Sequence, residues 1–568
     1  MQKIWLDSYP PGVPAEIDAH RYRSLVGMLE ESCSRFHEKP AFSNMGASLR
    51  YGELDRLSRN FAAYLQHDVG LGKGDRVAIM LPNVLQYPVV LFGALRAGMV
   101  VVNVNPLYTA SELEQQLYDS GARAVVIFEH FAHTLELALP GTAVKQVITT
   151  QIGDLFPVPK RWLVNLVARR VRHVPRWRIE SACTFRRALA VGRRSAPLDV
   201  PLGHDDIAFL QYTGGTTGRP KGVILTHGNV VANLEQIAAW VRVALKEGEE
   251  TVVTALPLYH IFALTANLLL FVKLGGNNVL ITDPRDLRRF IATLKHNRWT
   301  AITGVNTLFK ALLDAPDFRE AAAANRGRLK LAVAGGMALQ RPVAKRWQHT
   351  TGTALTEGYG LTEASPNVCG NRFDIPAYTA KVGLPLPSTE VAILDDQGKA
   401  LAVNEVGEIG VRGPQIMRGY WNAPEETHKA FAADGWLLTG DIGRMDERGY
   451  VEFIERKKDV IVVSGFKAYP AEIEEVAMLH AGVKDAAAVG VPDEHSGEAV
   501  ALYVVKRDNT LTTEALLQHC RKYLTRYKLP HRIEFRDQLP KTVLGKTRRQ
   551  LLRQEALRDV GSLVAAHE

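Results

Sequence analysis

Residues 207–225 set the tightest limit on how this chain folds. An apolar run at 207–210 leads into Tyr212, Thr213, Gly214, Gly215, Thr216, Thr217 and Gly218. Arg219, Pro220, Lys221 and Gly222 follow, then a second apolar run at 223–225. Glycine lets backbone amides converge on an anion with no β-carbon in the way. The hydroxyls of Thr213, Thr216 and Thr217 can donate to phosphate oxygens, and Lys221 adds positive charge. The segment therefore reads as a phosphate-gripping loop between strands. It is not the Gly-x-x-x-x-Gly-Lys-Ser/Thr loop that opens a helix. Pro220 stands where that helix would begin, and Gly222 follows the lysine. The plain alternative is a glycine-rich surface turn. The density of glycine, threonine and lysine favours nucleotide phosphate.

The flanking pattern supplies the fold class. Residues 76–81, 100–104 and 122–128 read as buried strands, with helices predicted at 85–97 and at 111–120, the latter capped by a serine. The alternation resumes at Ile207 and continues through strands at 252–256, 300–304 and 330–334. This predicts an α/β fold whose large N-terminal domain layers helices on largely parallel sheets. Ligands in such sheets collect beyond the carboxyl ends of the strands. From about Val382 short alternating runs (390–394, 407–412) and closely spaced Gly, Pro and Asp predict a β-rich subdomain, about 382–455. The charged, apolar-poor junction at 455–459 is where a hinge belongs. Residues 458–568 then mix strands (486–490, 499–505) with helices (471–479, 513–523), a small mobile α+β domain after a large domain of residues 1–457.

The chain has 568 residues, too many for one core. Its net charge of +9 suggests anionic partners such as nucleotide, a phosphorylated carrier or a lipid surface. No stretch offers the ~20 apolar residues of a bilayer crossing, and residues 1–18 lack the apolar core of a signal peptide. A cytoplasmic protein is expected, with Cys33, Cys183, Cys369 and Cys520 reduced. No nucleic-acid-binding module is recognisable. Residues 160–178 are the most basic stretch, with Trp162, Leu163, Leu166 and Val167 among the cations. This pattern fits a membrane-surface patch; a solvated helix and loop covering the core is the preferred reading.

Four further motifs can carry chemistry. Gly358, Tyr359, Gly360, Leu361, Thr362 and Glu363 combine a stacking face for a nucleobase with a carboxylate able to hold magnesium. Alone, the hexapeptide could be a helix end with a surface acid. The turn ending at Asp441 offers a carboxylate to paired ribose hydroxyls, or is simply a Gly-Asp turn, and Arg456 lies beyond the strand predicted at 450–454. Lys546, in a glycine-bearing loop near the C-terminus, can stabilise a phosphoryl group during displacement or belong to a solvated basic tail. His260, at a strand's exit, can position a substrate carboxylate, shape an acyl pocket or serve a structural role.

Together and in this order the motifs resemble the adenylate-forming superfamily of acyl-CoA synthetases, luciferases and peptide-synthetase adenylation domains, over nearly the whole chain. The resemblance implies that residues 213–222 bind ATP phosphates, although Gly214 stands where serine is common. It implies that Gly358 to Glu363 bind adenine and magnesium, with Thr213 as a second metal ligand and Gly335 and Gly336 beside adenine and the acyl group. By the same resemblance Asp441 and Arg456 contact ribose, Lys546 serves adenylation, and Lys458 is the hinge. Ser464, Gly465, Phe466 and Lys467 line the pantetheine tunnel, and Tyr259, His260 and Val305 shape the acyl pocket.

Within that superfamily residues 103–108, 255–264, 301–308 and 434–458 are most similar to the bacterial long-chain-fatty-acid–CoA ligases. This implies ATP-dependent conversion of a fatty acid to acyl-CoA through acyl-AMP. Magnesium is the implied cofactor, with ATP and CoA as cosubstrates and Lys546, Glu363 and His260 as catalytic residues. Residues 261–274 and 302–313 are candidate walls of an acyl tunnel. The reading leaves room for a homodimer and for peripheral contact with an anionic surface at the inner face of the cytoplasmic membrane. Rival readings are an aryl- or medium-chain acid CoA ligase, an acyl-AMP ligase serving a carrier, and a non-catalytic nucleotide sensor. A sensor has no need of an adenylating lysine.

Overall fold

Runs such as Ala124–Phe128, buried at every position, form strands that need cover on both faces. The computed structural model describes residues 2–171, 174–213, 220–375, 378–493, 496–542 and 547–564. It divides into two compact units. One comprises residues 1–391, 411–437 and 448–450; the other comprises 392–410, 438–447 and 451–568. The four-stranded sheet that follows residue 390 thus groups mostly with the C-terminal residues.

The larger unit holds two sheets. One has eight strands, and its middle runs Ile207–Thr213, Val100–Asn103, Arg76–Met80, Ala124–Phe128, Gln146–Thr150, all parallel. Lys221–Thr226 and then Gly419–Tyr420 extend it antiparallel at one edge. The other has nine strands, with Thr356–Gly360, Leu331–Ala334, Ala301–Gly304, Thr251–Thr254 and Asn277–Leu280 parallel at its centre.

Buried amides stitch these sheets together, which satisfies polar groups that would be costly to leave unpaired. Asn83 Nδ2 donates to the carbonyls of Thr254 (3.0 Å) and Leu256 (2.9 Å), and its Oδ1 accepts from Leu258 N. The Tyr87 hydroxyl donates to Asn103 Oδ1 at 2.7 Å, and Asn103 Nδ2 donates to Gln211 Oε1. Gln211 Nε2 in turn donates to the Tyr259 carbonyl at 2.6 Å. The strand that leads into the phosphate loop is thereby fixed to the segment carrying Tyr259 and His260.

Two expectations need correction. The helix Ala110–Ser120 is capped by Thr109, not by a serine. Thr109 and Glu112 form a reciprocal capping box, which starts the helix ahead of Ser111. The basic stretch does form a helix, Val158–Val171, but its largest apolar side chains are turned away from the core. Trp162 is 69 % exposed and Leu163 63 %. Val164, Asn165 and Ala168 are half-buried, and polar anchors fasten the helix: Asn165 Oδ1 accepts from Gly153 N (2.8 Å), Lys160 donates to the Met45 carbonyl, and Arg169 pairs with Glu129 at 2.6 Å.

The second unit contains the four-stranded sheet of Glu390–Leu394, Gly407–Arg412, Leu437–Met445 and Val451–Arg456, and a five-stranded sheet. In the latter, Val483–Asp493 and Gly497–Lys506 alternate faces with period two. Ala486, Ala488, Val500 and Leu502 pack with Ile473 and Leu516 on one face. Ala487, Val489 and Tyr503 pack with Leu552 on the other. No helix among the described residues is long and apolar enough to cross a membrane.

Candidate active site

In the larger unit the phosphate loop departs from two paired strands whose register sets Thr213 opposite Lys221 and Tyr212 opposite Gly222. Gly214, Gly215, Thr216, Thr217 and Gly218 lie outside the described residues. The stems are firmly held. The Tyr212 hydroxyl donates to Asp119, and burial, then that carboxylate, push the phenol up. Trp421 N donates to the Gly222 carbonyl at 2.7 Å. The Lys221 ammonium pairs with Glu426 and sits 5.4 Å from the centre of the Tyr420 ring.

Tyr420 links this loop to the predicted metal carboxylate. Its hydroxyl donates to Glu363 Oε1 at 2.9 Å; burial, then the charge on Glu363, push the phenol up. Glu363 stands on a single turn, Thr362–Ala364, just after the strand Thr356–Gly360, and Met417 N donates to its carbonyl at 2.7 Å. Its other carboxylate oxygen makes no hydrogen bond among the described residues. Thr213 and Glu363 offer oxygen donors only, and no group of three His, Cys, Asp or Glu side chains that could hold a metal ion is found among the described residues. That donor set suits a hard cation that takes most of its ligands from phosphate and water.

The segment expected to admit adenine is shaped by close backbone approach. A β-carbon at Gly360 would lie 2.1 Å from the Pro366 carbonyl oxygen, so no other residue fits without displacement. At Gly335 it would lie 2.9 Å from the Phe262 ring and 3.5 Å from the Gly358 carbonyl. Gly336 has φ +76°, in the left-handed region, and a β-carbon there would meet Val305 at 3.9 Å. The structure therefore brings Gly335, Gly336, Gly358, Phe262 and Val305 together at the ends of neighbouring strands. Tyr359 is buried in its strand, and Leu361 N donates to the Pro366 carbonyl at 3.0 Å.

His260 caps a short helix, its Nδ1 accepting from Phe262 N at 3.3 Å. The phenol of Tyr259 is pushed up to about 12 by burial and then by Tyr108. Of the candidate tunnel walls, Ile302, Phe309 and Leu312 are packed in a core cluster with Phe318 and Trp347.

Glu357, which sequence reasoning passed over, is a buried acid of the larger unit. Burial pushes it up to about 7, partly offset by the Leu339 N–H that it accepts at 3.0 Å. It ties the segment after Gly336 to the strand that carries Tyr359. No charged partner faces it among the described residues.

The second unit carries the other predicted residues. Asp441 is 1 % exposed and pairs in register with Arg456. Arg456 Nε lies 2.9 Å from Asp441 Oδ1, close enough for an ion pair, but its N–H does not aim at that oxygen. Gly440 N donates to Glu408 Oε1, and Lys457 Nζ donates to Glu408 Oε2 at 2.8 Å. Lys458 is exposed on the turn Lys457–Asp459.

Ser464 and Gly465 form a two-residue hairpin turn with φ +50° and +83°, pairing Val463 with Phe466. Phe466 is exposed and stacks on Tyr527 at 5.2 Å, and Lys467 is exposed beside it. Lys546 lies outside the described residues. Its flanks do not: Lys541 pairs with Thr547, and Arg548 N donates to the Pro540 carbonyl.

Arg549, three residues on, is a second residue that sequence reasoning missed. It donates to both oxygens of Glu474 (2.9 and 2.8 Å) and approaches Glu455 (3.5 Å) and Asp459 (3.8 Å). Burial pushes Glu474 and Glu455 up, and Arg549 opposes that in both. The guanidinium thus clasps residues on both sides of Lys458.

Comparisons with known proteins identify the family. The model for AMP-binding enzyme matches residues 29–421, and that for AMP-binding enzyme C-terminal domain matches 472–546. The chain belongs to the AMP-binding enzyme family. This AMP-binding enzyme is 53 % identical over 567 residues to a long-chain-fatty-acid–CoA ligase of Yersinia pestis, covering all of both chains. It is also 53 % identical to one from Escherichia coli O157:H7, over 98 % of this chain and 99 % of that one. Among solved structures, ATP-bound MatB from Rhodopseudomonas palustris is similar with a TM-score of 0.79 and 27 % identity, over 93 % of this chain and 98 % of that one. The adenylate-forming fold, with a large N-terminal α/β domain and a small C-terminal domain, is shared.

Proposed function

We propose that this AMP-binding enzyme is a long-chain-fatty-acid–CoA ligase. The observation that carries the substrate class is the identity of 53 % along the whole chain to ligases of that name. The site supplies the chemistry. A fatty carboxylate oxygen attacks the α-phosphorus of ATP, the bond to the bridging oxygen breaks, and pyrophosphate leaves. The CoA thiolate then attacks the acyl carbonyl, and AMP departs with the former carboxylate oxygen.

Residues 213–221 hold the β- and γ-phosphates, and Lys221 exchanges Glu426 for phosphate oxygen. Gly335, Gly336 and Gly358 to Gly360 admit the adenine. Asp441 accepts from the ribose hydroxyls, and Arg456 orients Asp441. Glu363 and Thr213 would hold magnesium, with Tyr420 fixing the carboxylate. When bound, magnesium would offset the charge that develops on the phosphate oxygens. Lys546 stabilises the attacked phosphoryl group, and His260, Tyr259 and Val305 border the acyl end. Ser464 to Lys467 line the path of the pantetheine.

A lysine needed in one half-reaction alone implies that the small domain turns about Lys458 between them, which also shields acyl-AMP from water. We place the enzyme in the cytoplasm, at the inner face of the membrane, on the strength of its net charge of +9 and the exposed basic helix Val158–Val171.

The test is AMP release over a graded acid series with and without CoA. Burial of each methylene is worth about 0.8 kcal/mol, so a tunnel favours long chains steeply. A maximum with long-chain acids and dependence on CoA are expected; a maximum with aryl or medium-chain acids would overturn the assignment.

A further inference from the structure

The helix Val158–Val171 turns a wide apolar stripe away from the protein. A surface helix turns its apolar stripe inward. Here Trp162, Leu163, Leu166 and Val167 follow one another at helical spacing and are 69, 63, 50 and 48 % exposed. Val158, one turn before Trp162, is exposed as well. Only Val164 and Ala168 among its described apolar residues are half-buried on the inner side, and hydrogen bonds and one ion pair through Lys160, Asn165 and Arg169 fasten the helix in place. Exposed apolar side chains scattered singly need no explanation, but a contiguous stripe of them does.

Charge identifies what covers the stripe. Every ionisable side chain of this helix is cationic: Lys160, Arg161, Arg169 and Arg170. The acids nearest its inner side are already engaged, Glu129 by Arg169 and Asp154 by Thr150 and Asn165. Arg161 lies 6.0 Å from the Trp162 ring, so a cation and the largest apolar group share one edge. Met45, whose carbonyl holds Lys160, is a further exposed apolar side chain beside the helix. Apolar side chains between cations, with tryptophan among them, suit a helix lying in the plane of an anionic bilayer surface. The side chains sink toward the acyl region while the cations meet phosphate headgroups.

We propose that Val158–Val171 is the membrane-docking surface of this enzyme and that its partner is an anionic lipid bilayer. The proposal deepens the ligase reading, whose substrate partitions into membranes, and rests on it for motive alone. Docking is measured without nucleotide, so a chain that docks yet activates no fatty acid would sink only the ligase reading.

The full chain is sedimented with phosphatidylglycerol-containing vesicles and with pure phosphatidylcholine vesicles. Strong co-sedimentation with the first and weak co-sedimentation with the second are expected. Replacing Trp162, Leu163, Leu166 and Val167 by serine should lower the bound fraction at least about tenfold. These side chains are exposed, so the variant should fold and keep its activity on dissolved acid. The pair Arg161→Glu and Arg170→Glu should weaken binding to anionic vesicles by a comparable factor while leaving the weak binding to neutral vesicles unchanged. Undiminished sedimentation of the serine variant would overturn the proposal. So would a dimer that binds no vesicles and becomes monomeric on the serine substitutions, which would assign this face to a second copy.

Discussion

The candidate residues of the larger unit and those of the second unit are held by different forces. In the larger unit, Thr213, Lys221, Glu363 and Gly360 are placed by strand register, by glycines that permit close approach and by hydrogen bonds from phenols and backbone. In the other, Asp441, Arg456 and Lys457 sit in a lattice of opposite charges, with Arg549 clasping Glu455, Glu474 and Asp459. The phosphate cradle proposed for the first set needs fixed donors, which topology supplies. The turning segment proposed for the second would gain from contacts that break and re-form as discrete pairs. The buried acids show the same contrast: Glu474 has a guanidinium, whereas Glu357 has a single backbone N–H.

Removing the clasp should produce the largest stability effect. Arg549→Met leaves Glu455 and Glu474 without their cation, and breaking a buried pair from one side costs about 4 kcal/mol. The loss should appear in denaturant unfolding of the second unit. A loss below about 1 kcal/mol would show that charge does not hold this half.

Glu357→Gln sharpens the contrast in the opposite direction. The folded carboxyl is raised from 4.5 to about 7, so ionising it opposes folding. The penalty is absent below about pH 4.5, grows between there and pH 7, and is complete above. The variant should therefore be more stable than the parent at pH 8, on the order of 3 kcal/mol, with the gain vanishing in acid. A gain that is the same at both pH values would refute the assignment.

Tyr420→Phe should act on the cradle without unfolding it. Loss of one hydrogen bond to a carboxylate should raise the KM for magnesium-ATP about tenfold. Manganese titration followed by paramagnetic relaxation should show a matching loss of metal affinity in the presence of nucleotide. An unchanged metal affinity would make Tyr420 a packing residue only.

Much of the architecture was legible in the sequence because its signals are local. Strands at 390–394 and 407–412 lie where alternation and turn residues put them. The glycine- and threonine-rich loop does join two strands of one sheet. The start of Ala110–Ser120 shifted because a threonine with a glutamate three residues on outcompetes a lone serine. What stayed hidden is non-local. Tyr420 and Glu363 are 57 residues apart, Lys221 and Glu426 are 205, and Arg549 and Glu455 are 94. No spacing rule links such pairs, since the fold alone brings them together. The helix 158–171 was hard to read for another reason: its composition suits either a core cover or an exposed face, and the anchors that orient it come from Met45, Glu129 and Gly153.

The decisive measurement is the pair of half-reactions in Lys546→Ala, with acyl-AMP formation read by pyrophosphate exchange and thioester formation read from supplied acyl-AMP and CoA. The first should fall about a thousandfold while the second stays near the parent rate. Equal loss in both would mean that no single ammonium is dedicated to adenylation, and the proposed division of the reaction into two separately served steps would be wrong.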